Sequence, residues 1–164
     1  MADVVVIGGG VIGLSVAWKL AASGAVVTVC DPAPGAGASW AAAGMLAPVT
    51  ESRIGEPALT ELCLASLREW PDFARGLEDF SGCPVGLRTE GTLAVGLDED
   101  DRRALQHLAS VHSRLGLQSS PLSGRECRRL EPLLSPRVTG GLDIPGDHQV
   151  DNRLLVTALQ QACA

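Results

Sequence analysis

Val4-Val5-Val6-Ile7-Gly8-Gly9-Gly10-Val11-Ile12-Gly13 places a short apolar run before G-x-G-x-x-G, and helical spacing follows at once. The run reads as a buried parallel strand. The glycines divide the work: Gly8 permits the tight turn, Gly10 lets the backbone approach a pyrophosphate, and Gly13 lets the helix pack close to the strand. Amides at the helix start, aided by the helix dipole, then face the phosphates. Val11, Leu14, Ala17 or Trp18, and Ala21 recur at helical spacing over residues 11–23, and Gly24 supplies a stop. A second apolar run, Val26-Val27-Thr28-Val29-Cys30, ends at Asp31, whose carboxylate suits ribose hydroxyls. The alternative is a glycine-rich strand-to-helix turn without a ligand. Strand, helix, strand and acidic terminus in this order favour the dinucleotide-binding reading.

Composition narrows the function classes. Apolar residues make up 46% of the 164, enough for a core, while aromatics are 3%, too few for a base-stacking surface. A formal net charge of -6 disfavours nucleic acid and anionic membranes. No apolar run reaches transmembrane length, and no basic region precedes the N-terminal apolar stretch, so neither membrane span nor signal peptide is expected. Cys30, Cys63, Cys83, Cys127 and Cys163 are odd in number and widely spaced, which fits reduced thiols in the cytoplasm and neither a disulfide framework nor a metal site. Cys30 reads as a small hydrophobe ending a buried strand.

Beyond Asp31 the pattern changes. From Pro32 to Pro48 the chain is mostly Gly, Ala and Ser. Residues 57–80 read as helical, with Pro71 kinking the segment or starting a new helix. Val85–Arg88 and Thr92–Leu97 read as a hairpin around Glu90-Gly91. Asp98–Leu115 reads as a helix whose acidic first turn complements the dipole; a contiguous acidic run cannot converge on one ion. Ser123-x-x-Glu126 is a capping box for a short helix ending before Pro132. Val138–Ile144 and Gln149-Val150 read as extended, and Asn152 as the cap of a helix over 154–164. His107 and His112 are placed at the surface or rim of their helix, His148 in a turn, and Trp40 as a packed anchor.

Gly37-Ala38-Ser39-Trp40-Ala41-Ala42-Ala43-Gly44-Met45-Leu46-Ala47-Pro48 resembles the FAD-dependent amine oxidases of the D-amino-acid oxidase type, above all their glycine-oxidase branch, which serves thiamine biosynthesis. Glu90-Gly91-Thr92-Leu93, Glu131-Pro132-Leu133 and Val150-Asp151 fit the same family. The resemblance runs the length of the chain but matches only about the N-terminal half of the family's length, so the chain reads as truncated. It implies an α/β fold: a Rossmann-like FAD-binding domain with part of an antiparallel-sheet substrate domain. Residues 1–50 would form the FAD-binding βαβ unit and flavin loop, 51–84 a helical segment, 85–150 part of the substrate domain, and 151–164 a helix returning to the FAD-binding domain.

The resemblance also implies a cofactor site. Gly8, Gly10, Val11, Ile12 and Gly13 would hold the FAD pyrophosphate. Asp31 and Pro32 would lie by the adenosine ribose, Ala38 and Ser39 by the diphosphate-ribityl region, and Ala43, Gly44 and Met45 by the flavin. Small side chains suit a backbone running along a flat cofactor. The family often carries Glu at the Asp31 position, and Met45 also suits core packing.

The implied reaction oxidises a small amino acid, glycine or similar, at its alpha carbon. A hydride passes to flavin N5, the imine hydrolyses, and dioxygen returns as hydrogen peroxide. Another D-amino-acid or sarcosine oxidase or dehydrogenase is the alternative, as is an FAD-binding module without turnover. The family's carboxylate-binding Arg comes from its C-terminal half. Arg53, Arg88 and Arg153 do not match it, so no catalytic residue is assigned. A two-stranded parallel unit leaves edges and an apolar face open, which predicts that residues 1–164 alone show no oxidase activity, bind flavin poorly, and aggregate or recruit a partner, a second copy or a separate C-terminal half.

Overall fold

The computed structural model describes residues 3–164. In chain order the elements are β1 (Asp3–Ile7), α1 (Val11–Ala22), β2 (Val26–Cys30), α2 (Ala38–Ala41), β3 (Met45–Leu46), α3 (Pro57–Ser81), β4 (Thr92–Gly96), α4 (Glu99–Leu115), β5 (Ser120–Ser123), α5 (Gly124–Leu130), β6 (Gly140–Ile144), β7 (His148–Gln149) and α6 (Asn152–Ala162). They form two compact units. One takes the described residues up to Met45, Glu69–Leu87 and Val150–Ala164; the other takes Leu46–Arg68 and Arg88–Gln149.

In the first unit β1 and β2 pair in parallel, Asp3 opposite Val26 through Ile7 opposite Cys30, with α1 as the crossover. Leu14, Ala17 and Trp18 of α1 are buried, as are Leu155, Val156, Ala158 and Leu159 of α6. Full burial of such a Leu side chain contributes about 1.5–3 kcal/mol. Ala74 and Leu77 of α3 and Val85 complete this core. Phe73 sits edge-on to both Trp18 and Trp70, with centroids 5.2 and 5.3 Å away. The strands are not buried on both faces. Val5, Ile7 and Val26 are 64%, 89% and 53% exposed, and Cys30 is exposed too. A parallel strand reads as a continuous apolar run because helices normally cover both of its faces. Here α1 packs against one face, and alternate side chains on the other are exposed among the described residues, as a two-stranded unit alone leaves them.

The second unit is built on an antiparallel sheet in the order β4-β6-β5. Thr92 pairs with Ile144 and Gly96 with Gly140; Ser120 pairs with Asp143 and Ser123 with Gly140. Val49, Leu142 and Ile144 form its buried centre, against Leu64, Ala94, Leu105 and Leu108. Asp98 caps α4, its carboxylate accepting from the Asp100 and Asp101 amides. The Ser123–Glu126 capping box is present at α5.

Three local expectations change. β4 does not form a hairpin with Val85–Arg88: its partner is β6, and Arg88 instead bridges to Gln149. Gly91 accommodates this pairing: at φ +90° its backbone lies so close to the chain at Ile144 that a Cβ there would be 2.7 Å from the Ile144 carbonyl oxygen. Pro71 starts no new helix, since α3 is assigned without a break from Pro57 to Ser81. Proline removes one backbone donor, a local loss that the flanking turns of a 25-residue helix outlast. His112 is not at a rim. It is fully buried, with Nε2 2.9 Å from the Val49 carbonyl oxygen. That pairing lies 63 residues away in sequence, beyond the reach of helical periodicity.

Candidate functional site

The glycine turn is shaped by three backbone approaches. Gly8 adopts φ +105°, and its amide donates to the Cys30 carbonyl at 2.9 Å. A Cβ on Gly13 would sit 1.9 Å from the Gly8 carbonyl oxygen, so strand end and helix start touch backbone to backbone. Gly9 is just as constrained. A Cβ there would meet Pro34 Cβ at 2.9 Å and Asp31 Cβ at 3.0 Å. The motif pattern leaves position 9 free, and only the chain crossing above it, with the Gly35 amide donating to the Gly9 carbonyl at 2.9 Å, requires glycine there.

Asp31 serves this turn directly. Its Oδ2 accepts from the Gly9 amide at 2.7 Å and its Oδ1 from the Ala33 amide at 2.7 Å. Those bonds, Gly9 first, hold its carboxyl below the ordinary aspartate range. The shorter side chain thus buttresses the glycine loop. Each carboxylate oxygen keeps a second lone pair that can face a hydroxyl. Pro32, next along, is exposed.

At the start of α1 the Val11 amide donates to Ser39 Oγ at 2.9 Å. The first helical amides have no partner within a helix, and no acidic side chain stands in this first turn. Gly10 lies beneath, where a Cβ would be 3.1 Å from Ser39 Oγ. Helix-end amides, a positive dipole end and a hydroxyl with a proton to give form a receptor for an anion such as a phosphate. Ile12, by contrast, points out, 78% exposed.

Ala38 and Ser39 lie in α2, and Ala38 is exposed. The stretch from 37 to 45 is therefore a helical turn followed by extended chain. Ala43 is exposed, while Gly44 sits at φ +73° with the Val150 amide donating to its carbonyl at 2.8 Å. Met45 is 55% exposed among the described residues. Trp40 is no packed anchor: it is 52% exposed, with the Arg153 guanidinium 4.4 Å from its ring centroid. Trp40 and Arg153 border a groove of about 370 Å³ whose walls include Pro34, Ala36 and Gln160.

Asp151, not Asn152, caps α6, its carboxylate accepting from the Arg153 and Leu154 amides. Asn152 instead donates through Nδ2 to the Ser39 and Trp40 carbonyls at 2.8 and 2.9 Å. Two good capping residues in a row hide which one caps.

A parallel β-α-β unit with a glycine turn and a carboxylate at the end of its second strand defines the dinucleotide-binding class of α/β proteins. Residues 3–164 match the family model described as FAD dependent oxidoreductase, DAO, and the chain belongs to that family. It is 38% identical over 162 residues to a bifunctional ThiO/ThiG protein of Synechocystis, covering 98% of this chain and 23% of that protein. It is 33% identical over 164 residues to a glycine oxidase of Geobacillus kaustophilus, covering 99% of this chain and 43% of the relative. The crystal structure of glycine oxidase from Geobacillus kaustophilus superposes with a TM-score of 0.91 at 31% identity, over 99% of this chain and 45% of that one. The chain thus spans less than half the length of these glycine oxidases. No helix among the described residues is long and apolar enough to cross a membrane.

Proposed function

We propose that these residues hold FAD in a protein that oxidises glycine: glycine, dioxygen and water give glyoxylate, ammonia and hydrogen peroxide. The observation that carries the reading is the convergence of Gly10, the Val11 amide and the Ser39 hydroxyl at the start of α1, within a small-residue loop. Gly8 to Gly13 and Ser39 would take the pyrophosphate, Asp31 with Pro32 the adenosine ribose, Ala38 the ribityl side, and Ala43, Gly44 and Met45 the ring. The cradle fits the group, because Gly10 leaves open the space a side chain would fill beside Ser39. Bound there, FAD supplies the acceptor for the electrons leaving the substrate's alpha carbon.

The chain's own residues bind and orient. Asp31 fixes the Gly9 peptide, Ser39 offers its proton while accepting from Val11, and the exposed flank at Ala43 and Met45 is open to a flat ring. The Asp31 carboxylate would repel the 2′-phosphate of NADP and so favours FAD. Glycine as substrate, with a product serving thiamine biosynthesis, is supported by the 33% identity to a glycine oxidase and the 38% identity to ThiO/ThiG. Five cysteines without a disulfide support a reducing compartment, the cytoplasm. The test is peroxide formation by the FAD-loaded protein spanning the full length of its relatives, with glycine, sarcosine and D-alanine in parallel. Turnover fastest with glycine supports the reading. Bound flavin with turnover only on another substrate overturns the choice of glycine, and failure to retain flavin overturns the cofactor site.

A further inference from the structure

Asn152 stands at the first position of α6 yet makes no cap; the Asp151 side chain does that. Its Nδ2 instead donates to two successive carbonyls of α2, Ser39 at 2.8 Å and Trp40 at 2.9 Å, across 113 and 112 residues of sequence. A four-residue helix leaves its last carbonyls without helical partners. One nitrogen bearing two hydrogens matches two adjacent acceptors, and among uncharged short side chains Asn alone offers that pair. The neighbouring residues act in the same direction. The Val150 amide donates to the Gly44 carbonyl at 2.8 Å, Gln160 Nε2 donates to the Pro34 carbonyl at 2.8 Å, and Arg153 stacks on Trp40. Segment 34–44 is therefore held from one side by donors of residues 150–160.

We propose that Asn152 is a positioning residue for the cofactor loop. By fastening the Ser39 and Trp40 carbonyls it sets the backbone from which the Ser39 hydroxyl reaches the Val11 amide, and so the geometry of the anion receptor. The inference rests on the FAD reading of residues 38–45.

Aspartate separates this role from helix capping. Asp and Asn are equally good caps, but a carboxylate at 152 would present acceptors to two carbonyl oxygens. The experiment compares Asn152→Asp, Asn152→Ala and Asn152→Ser with the parent chain. Hydrogen exchange of residues 38–45 is measured without FAD, and FAD affinity is measured by quenching of flavin fluorescence. Asn152→Ala is expected to speed exchange in 38–45 and to weaken FAD binding by roughly 5- to 30-fold, the loss of one to two net hydrogen bonds. Asn152→Ser, which keeps one donor, falls between and covers the case in which the alanine variant does not fold. Asn152→Asp is expected to be weaker than Asn152→Ala at neutral pH and to recover on acidification, as its carboxyl regains a proton to donate. Aspartate behaving like the parent, or unchanged exchange in 38–45 in every variant, overturns the inference. A parent protein spanning the full length of its relatives that fails to bind FAD, with exchange still responding to the variants, overturns the cofactor reading alone, because exchange reports the clasp without FAD.

Discussion

Two helical glycines, Gly13 in α1 and Gly76 in α3, should respond to alanine with opposite signs. Intrinsic propensity favours alanine at a helical position by about 0.8–1 kcal/mol in both. At Gly76 the new Cβ would lie 3.8 Å from Trp18 Cη2, an ordinary contact, so the propensity gain survives. At Gly13 the Cβ would lie 1.9 Å from the Gly8 carbonyl oxygen and 3.3 Å from Val6 Cγ1. Separating these atoms to contact distance needs more than about 1 Å of movement between strand end and helix start, an overpacking cost of about 1–3 kcal/mol or more. The same movement strains the Gly8 amide to Cys30 carbonyl bond, a net hydrogen bond of about 1 kcal/mol. Gly13→Ala is therefore expected to destabilise by about 1–3 kcal/mol, and Gly76→Ala to stabilise by about 0.5–1 kcal/mol. At ~2–4 °C per kcal/mol for a chain of this size, Tm should fall by roughly 2–12 °C in the first and rise by roughly 1–4 °C in the second. Thermal unfolding without FAD, followed by far-UV circular dichroism, keeps ligand effects out. Gly13→Ala melting at or above the parent temperature would refute the backbone-contact argument. A fall of equal size in both variants would show that helical position, not the Gly8 contact, decides the cost.

Other outcomes follow from the same geometry. Gly10→Val should keep its far-UV spectrum but lose flavin, since a branched side chain would crowd Ser39 Oγ in the space assigned to pyrophosphate; a variant purified yellow with full stoichiometry contradicts that assignment. The Asp31 carboxyl is held low in the fold by the Gly9 and Ala33 amides, so its stabilising contribution is present above the unfolded value of about 3.9 and is lost as pH falls through the lower folded value. The Tm gap between the parent and Asp31→Asn should accordingly stay constant from about pH 5 to 8 and narrow below about pH 4; a gap that widens in acid counts against the buttress. Asp147 is fully buried and accepts from the Val49 amide at 2.9 Å, the Thr50 amide at 3.2 Å and the Thr50 hydroxyl. Asp147→Ala strands these donors and should cost about 2–4 kcal/mol by urea denaturation, whereas a loss under about 0.5 kcal/mol would show that another acceptor replaces it.

Local chemistry was enough to read β1, α1 and β2, the Gly24 stop, the acidic start of α4, the Ser123–Glu126 box and the family signature at 37–48. Each of these depends on neighbours within a few residues: a period of apolar side chains, a cap three positions from its partner, a glycine where the turn needs φ above zero. Everything that depends on a distant segment escaped. β4 pairs with β6, with Gly91 close against Ile144, and no turn signal beside Thr92 encodes that partner. His112 is buried because Val49 presents a carbonyl to it. Asn152 clasps Ser39 and Trp40 because Asp151 has already taken the cap. Gly9 must be glycine because Asp31 and Pro34 fold back over it, and Asp31 itself spends both oxygens on amides before any ribose reaches it. Short-range patterns specify which elements form, because propensity and capping act within one or two turns. Burial and hydrogen-bond partners are assigned only when the chain folds back on itself, because an amide, a carbonyl or an imidazole can be satisfied by any group that tertiary packing brings within about 3 Å.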